Sequence, residues 1–318
     1  MLDLGRLQVL RELKQRGTVG AVAEALGYSP SAVSQQLAQL QRDLHVPLLE
    51  RVGRRLRLTE AGEVLASQAE ILLTQAQHAE ESTRAAGGRV AGVIRIVGHQ
   101  TALLHLVAPV LPTLRHRHPD LAVEILDEES EDVLRKLALQ EVDLVLYNEY
   151  VHMPTPRVAE LDAEPLLTEP MRLVLPLRHR LAEAPSMRLA DLKGDPWVST
   201  HPGTRHAEMM ERACTEVGGF RPMIRYYSND IQVILSMIAS GGAVGLLPEL
   251  ALPDGQPGVV ARTLGDTDLR RRIVAWRRRG ADGRPAIRAV LDTLRATAAE
   301  LVAGRPGLAR GGGAPRRE

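Results

Sequence analysis

Between positions 18 and 44 the apolar residues fall into two short helical stripes with a turn between them. Val22, Ala23 and Leu26 share one face of a first helix, and Gly27 closes it, because glycine takes the left-handed conformation past a helix end without steric cost. Val33, Leu37, Leu40 and Leu44, spaced four, three and four, predict a second helix with one buried face. Ser29 offers an N-cap, and Pro30 sits at the first helical position, where its missing N–H costs nothing. Away from the stripe lie Ser31, Ser34, Gln35 and Gln36, hydroxyls and amides able to hydrogen-bond base edges and phosphates. A helix over about 3–16, with Leu4, Leu7, Leu10 and Leu13 inward and Gly17 as its stop, precedes the pair. The pattern predicts a helix-turn-helix, although a structural αα-hairpin with a polar outer face fits it equally well.

The charge of the next segment favours DNA. Residues 45–59 gather Arg51, Arg54, Arg55 and Arg57 around Gly53, a short hairpin or wing. From Arg42 to Arg57 five arginines face only Asp43 and Glu50, a local surplus of three suited to phosphates. Thr59 then caps a long helix reaching to about residue 86, along which Leu65, Ala69, Leu72, Ala76, Ala79 and Thr83 alternate four and three apart. With the wing on one side and Gly87-Gly88-Arg89 reading as a hinge on the other, nothing local is expected to cover this seam, so it predicts self-association.

From residue 91 the period changes. Strands at 93–97, 121–126 and 143–147 alternate with helices at 103–117 and 131–140, a βαβαβ order that implies a parallel sheet covered on both faces. Further strands fall at 173–175, 197–198, 224–227, 244–247 and 273–276, and further helices at 205–217, 231–240 and 285–303. This much sheet predicts two lobes, with crossings near 163–167 and 264–268. Residues 304–318, rich in Gly, Pro and Arg and without periodicity, predict a disordered tail.

Composition narrows the function. The 318 residues carry a net charge of +1, so nucleic-acid affinity must come from a local patch. With one phenylalanine, two tryptophans and five tyrosines the core must be aliphatic. Cys214 is the single cysteine, which excludes intrachain disulfides and Cys-rich metal sites and reads as a small buried hydrophobe. Without a signal-like start or an apolar run of membrane-spanning length, a cytoplasmic protein is expected, with no membrane partner.

The stretch AVAEALGYSPSAVSQQLAQLQRDLHVPLLERVGRRLRLTEAGEVL resembles the winged helix-turn-helix of the LysR-type transcriptional regulators. The resemblance rests on the Ala-rich first helix, Ser-x-Ser-Ala-Val-Ser-x-Gln, Leu49 to Arg51, and Leu-Thr-x-Ala-Gly at 58–62. This chain departs from it with Gln41 where a Glu is usual, His45 for a glycine and Leu49 for a phenylalanine, and with Pro30 and Gln35 where Gln and Arg are frequent. The second half is similar to the family's effector-binding domain, a two-lobed α/β fold of the type 2 periplasmic-binding-protein kind. Its matches include His118-Pro119-Asp120-Leu121, Val142-Asp143-Leu144 and Gly245-Leu246-Leu247-Pro248.

The expected organisation is an all-α winged helix-turn-helix at 1–58, a linker helix and hinge at 59–88, and an α/β effector domain at 89–303. Lobe I is expected at about 91–163 and 268–303, and lobe II at about 164–267. The resemblance implies a homodimer through the long helix, a homotetramer through the α/β domains, and binding to an interrupted palindrome in double-stranded promoter DNA, with half-sites about 34–36 Å apart. Pro30, Ser31, Ser34, Gln35 and Gln36 are the candidate groove residues, and Arg51, Arg54 and Arg55 the candidate phosphate contacts.

In such sheets ligands sit beyond the strand ends, at helix N-termini. Candidate effector residues there are His99, Gln100, Thr101, Asn148, Ser199, Thr200, His201, Asn229, Gly245, Leu246 and Leu247. Each Ser, Thr or Asn is equally at home as a helix cap. Together they suggest a small polar or carboxylate-bearing effector. His116-x-His118 and His201-x4-His206 lack partners for a metal and read as solvated helix-end histidines; Arg270-Arg271-Arg272 and Arg277-Arg278-Arg279 read as solvated strand ends. No Gly-x-Ser-x-Gly elbow, Walker loop or dinucleotide fingerprint occurs, so neither cofactor nor enzyme is expected. Two rivals stay open: a small-molecule-binding enzyme with an attached DNA-binding module, and a ligand-free architectural DNA-binding protein with an apolar, filled cleft.

Overall fold

Each of the three N-terminal helices begins on a side chain that accepts from its own first turn. Helix α1 (Leu4–Arg16) starts at Asp3, α2 (Val19–Leu26) at Thr18 and α3 (Pro30–Leu44) at Ser29, each capping oxygen taking the N–H three residues on at 3.0–3.2 Å. The computed structural model describes residues 2–52, 55–87, 89–129, 132–151, 153, 158, 160–252 and 257–311. Two compact units divide the chain, the first ending at Arg89 and the second beginning at Val90.

In the first unit Leu7, Leu10, Leu13, Val22, Val33, Leu37 and Leu40 close one core. Strands β1 (Leu49–Val52) and β2 (Arg55–Leu58) form an antiparallel hairpin, with Leu49 opposite Leu58. The long helix α4 (Glu60–Ala86) follows; Thr59 Oγ accepts from Gly62 N–H at 3.0 Å and donates to Pro47 C=O at 2.8 Å. A Cβ at Gly62 would lie 2.1 Å from the Leu48 carbonyl oxygen, which is why the chain needs glycine there.

The seam on α4 requires a correction. Ala69 is buried and Leu65 half-buried against the helix-turn-helix core, where Lys14–Glu63 and Arg11–Glu70 ion pairs also tie α4 to α1. The seam's first half therefore has a local cover, contrary to expectation. Leu72, at 39% exposure, and Ala79 remain exposed, and Ala76 half-buried.

In the second unit β3 (Gly92–Gly98) pairs in parallel with β4 (Leu121–Asp127) on one side and β5 (Leu144–Tyr150) on the other. Between β3 and β4 the chain forms α5 (Gln100–Ala102), a π-turn (Leu103–Val107) and α6 (Ala108–Arg117), which carries Pro109 and Pro112. Helix α7 (Val133–Ala138) precedes β5. One strand, β6 (Leu161–Pro176), then runs through both lobes. Its residues 161–170 pair antiparallel with β11 (Arg270–Arg278), which itself pairs with β5. Its residues 171–176 pair with β9 (Gly245–Pro248) and β10 (Val259–Arg262). The passage between lobes thus lies near Pro170, further along than the expected 163–167.

Lobe II adds β7 (Pro196–Ser199), α8 (Arg205–Arg212) with a π-turn after it, β8 (Met223–Tyr227) parallel to β7, and α9 (Ile231–Gly241). Alternation along the strands loads both faces. Ile94, Ile96, Leu144 and Ile273 pack with α6 and α10 (Pro285–Gly304), whereas Val97, Val145, Val274 and Trp276 pack with α7. In lobe II Leu173 and Leu175 meet Trp197, Met210 and Cys214, while Val174 meets Ile234 and Ile238. Burial pushes the Cys214 thiol up to about 12, the behaviour of a core residue.

The expectation of a disordered tail from residue 304 is also corrected. Leu308 is buried in the lobe I core, and β12 (Ala309–Arg310) pairs with Thr168 and Leu167 of β6. Residues 312–318 of that tail lie outside the described residues.

Candidate functional site

The stripe Val33, Leu37 and Leu40 is buried, which turns the other side of α3 outward. Pro30, Ser31, Ser34 and Gln35 are exposed and Gln36 is half-buried. These side chains differ in readiness. Ser34 Oγ donates to Pro30 C=O at 2.9 Å, the usual back-bond of a helical serine, and the Ser31 and Ser29 hydroxyls share a 2.9 Å bond. Gln35 has no hydrogen bond among the described residues. At the far end Gln39 Nε2 donates to Asp43 and Arg42 donates to Gln39 Oε1, both at 2.6 Å, and Arg6 pairs with Asp43. Tyr28, 48% exposed at the turn, was not singled out by the sequence, yet its place one residue before the cap Ser29 was a usable signal.

One amide of α3 hydrogen-bonds to the segment that leads into the hairpin, whose Leu49, Leu56 and Leu58 pack on the shared core. Gln41 Oε1 accepts from the N–H groups of Leu48 and Leu49 at 2.9 and 3.1 Å, a role a glutamate would fill equally. Arg51 and Arg55 stand on β1 and β2, opposite Leu56 and Val52 respectively, and Arg57 is exposed. Arg54 lies outside the described residues.

The second site is a cavity of about 50 Å³ between the lobes of the α/β unit. Seven of the expected residues line it: His99, Gln100, Thr101, Asn148, Thr200, Asn229 and Leu247. Four do not. Ser199 is buried beside it, His201 is exposed and stacks on Tyr227, and Gly245 and Leu246 are core positions of β9, whose last two residues, the expected Leu247 and the unexpected Pro248, reach the cavity. Gln100 Oε1 spans the lobes to accept from Ile231 N–H at 3.0 Å, and Asn229 Oδ1 accepts from His201 N–H at 2.9 Å.

The sequence missed Glu129, Tyr150, His206 and Arg271 in this wall. Arg271, expected to be a solvated strand end, is buried. It donates to Glu169 at 2.6 and 3.0 Å, and Glu169 also accepts from Leu250 N–H at 2.7 Å. Strand alternation was the available signal: the middle arginine of 270–272 points opposite to its neighbours. His206, expected to be solvated, is buried too, its Nε2 donating to Leu246 C=O at 2.7 Å; burial brings it down to about 4, so it is neutral.

A hydrogen-bonded relay fixes the protonation of His99. Arg271 donates to Thr101 Oγ at 2.8 Å, so the threonine hydroxyl donates onward to His99 Nδ1 at 3.0 Å, where Ala102 N–H also points. Nδ1 is then the acceptor and Nε2 carries the hydrogen. Burial first, and Arg271 second, hold this imidazole well below its ordinary range. His99 Nε2, Asn148 Oδ1 and Tyr150 Oη are buried and have no hydrogen-bond partner among the described residues. Unpartnered buried polar atoms carry a desolvation cost that a ligand can relieve. Among the described residues no group of His, Cys, Asp or Glu is arranged to hold a metal, and no helix is long and apolar enough to cross a membrane.

Comparison with known proteins agrees with this two-part layout. Residues 4–63 match the profile of the bacterial regulatory helix-turn-helix protein, lysR family, and residues 87–299 that of the LysR substrate binding domain. The chain is 28% identical over 307 residues to an uncharacterized HTH-type transcriptional regulator, YfeR, of Shigella flexneri, covering 96% of this chain and 97% of YfeR. It is 26% identical over 257 residues to the transcriptional dual regulator GltC of Bacillus subtilis (strain 168), covering 80% and 84%. A full-length variant of OxyR from Pseudomonas aeruginosa superposes with a TM-score of 0.70 at 25% identity, covering 93% of this chain and 95% of that one. CbnR in complex with its target DNA shares the fold, with a TM-score of 0.62 at 19% identity over 93% and 100% of the two chains.

Proposed function

The chain belongs to the LysR family of bacterial helix-turn-helix transcriptional regulators, and from that premise we propose that it binds an interrupted palindrome near promoters and is switched by a small polar effector in the interlobe cleft. The observation that carries this reading is the two-sidedness of α3: its Val33-Leu37-Leu40 stripe is buried while Pro30, Ser31, Ser34 and Gln35 stand exposed. Gln35 and Gln36 read the groove, with Pro30, Ser31 and Ser34 along its wall; Arg51 and Arg55 of the hairpin, and Arg54, contact phosphates. The second half of α4, with Leu72 and Ala79 exposed, serves the homodimer, and the α/β units extend it to a homotetramer. The cytoplasm is the compartment this role requires.

The lined cavity supports an effector site rather than the filled apolar cleft of a purely architectural protein, because its wall carries unpartnered polar atoms. At about 50 Å³ it is small, so an effector larger than a few heavy atoms must part the lobes, and differential affinity for the parted state would drive the switch. Footprinting of the full-length protein on the region upstream of its own gene and its neighbours tests the reading. Two protected half-sites about one helical turn apart are expected. Binding of equal strength to every fragment would overturn it.

A further inference from the structure

The polar groups in the cleft are arranged by charge as well as by position. Its one guanidinium, Arg271, is already matched by Glu169, which is fully buried behind it, so that pair contributes no net charge. Among the described residues Glu129 has no ion pair, and while one of its oxygens accepts from Asn148 Nδ2 at 3.0 Å the other has no partner there. Lys136, on the helix that follows, is engaged by both oxygens of Glu128. Arg205 sits over the Tyr147 ring at 5.6 Å and does not line the cavity. Asp127 and Asp230, which like Arg205 do not line the cavity, carry the same sign as Glu129; burial first, and then Glu129 and Asp230, hold the Asp127 carboxyl above its ordinary range.

A helix N-terminus would normally attract a carboxylate to such a place. At α9 that position is closed. Ile231 N–H donates to Gln100 Oε1, and Gln232 and Val233 N–H both donate to Asp230 Oδ1. The first-turn donors are satisfied by the chain itself, and the capping group brings a further negative charge.

The remaining valences sort by type. Asn148 Oδ1 and the other Glu129 oxygen are acceptors. His99 Nε2–H is a donor, and the Tyr150 hydroxyl can donate; both are buried and unpartnered among the described residues. We propose that the cleft takes a small primary amine carrying an acceptor oxygen, its ammonium set against Glu129 and Asn148 Oδ1 and its oxygen against His99 Nε2–H and the Tyr150 hydroxyl. The inference rests on the reading of this cleft as the effector site, and it replaces the carboxylate ligand that the helix-start pattern suggested.

Calorimetric titration of the full-length protein with ethanolamine and, separately, with glycolate, an anion of similar size, tests it. Saturable binding of ethanolamine at millimolar concentration and none of glycolate is expected. Glu129→Gln should weaken ethanolamine by about tenfold, the loss of one charge-assisted contact, and Tyr150→Phe by a few-fold. Glu216→Gln, an exposed residue away from the cleft, should leave it unchanged. Glycolate binding as tightly as ethanolamine, neither compound binding, or an unaltered affinity in Glu129→Gln would overturn the proposal. The comparison of the two compounds on the wild-type chain stands even where a variant fails to fold. Footprints taken in parallel separate the two readings. Ethanolamine binding that Glu129→Gln weakens, with an unchanged footprint, upholds the amine site and sinks the effector switch; glycolate binding with an altered footprint does the reverse.

Discussion

Glu169 and Arg271 form an ion pair 2.6 Å long at the point where β6 leaves one sheet for the other, and both side chains are buried. The carboxylate also takes Leu250 N–H from lobe II, and the guanidinium reaches Thr101 in lobe I. Removing one partner leaves an uncompensated charge out of water. Arg271→Met should therefore destabilise the protein by about 3–5 kcal/mol in urea unfolding. The double variant Glu169→Gln with Arg271→Met should recover part of this, because neither charge then remains.

Acid should loosen the same region through His206. Its native value of about 4 lies below the unfolded value of 6.5, so between the two the unfolded chain binds more protons. Stability is fully present above the upper value and declines as the pH falls through it, by about 2 kcal/mol at pH 5 from this residue alone. Buried His99 acts in the same direction. Unfolding midpoints at pH 7 and pH 5 measure the loss, which His206→Gln should reduce.

Beside the apolar packing of Leu49, Leu56 and Leu58, one amide ties the hairpin to α3 by hydrogen bonds. Gln41→Ala strips the acceptor from Leu48 and Leu49 N–H and should cost about 1–3 kcal/mol. Gln41→Glu keeps both bonds and should leave the melting temperature nearly unchanged.

On α3 the free amide and the occupied hydroxyl should behave differently. Gln35→Ala is expected to cost about 1–3 kcal/mol on the specific site and little on random DNA. Ser34→Ala should cost less, since its Oγ already donates to Pro30. Arg54→Ala should weaken both kinds of site and flatten the salt dependence by about one unit of slope. Binding titrations at several salt concentrations read all three.

The N-terminal unit was legible because its boundaries are written locally: Asp3, Thr18 and Ser29 cap, Gly17 and Gly27 stop, and a period near 3.6 runs between them. The cleft was half legible. His99, Gln100, Thr101, Asn148, Thr200 and Asn229 betray themselves as polar groups at strand ends, and all six line the cavity. Glu129, Tyr150 and Arg271 do not, because a loop acid, a strand-end tyrosine and one arginine in a run of three look ordinary until the chain is folded. The sixteen residues of β6 were read only at 173–175, since Pro165 and Glu169-Pro170 interrupt the apolar pattern. Proline is rare inside paired strands, and here Pro170 marks the passage between sheets. The seam on α4 misled because a heptad-like spacing says which residues share a face and not what covers it.

Because a single strand belongs to both sheets, the two halves of the α/β unit cannot be cut apart and kept. Excising either would strip hydrogen-bonding neighbours from the other along a shared backbone, as would a nick near Pro170. The unit should therefore melt in one cooperative step, and any rearrangement that a ligand provokes must be taken up as bending or twisting of that strand.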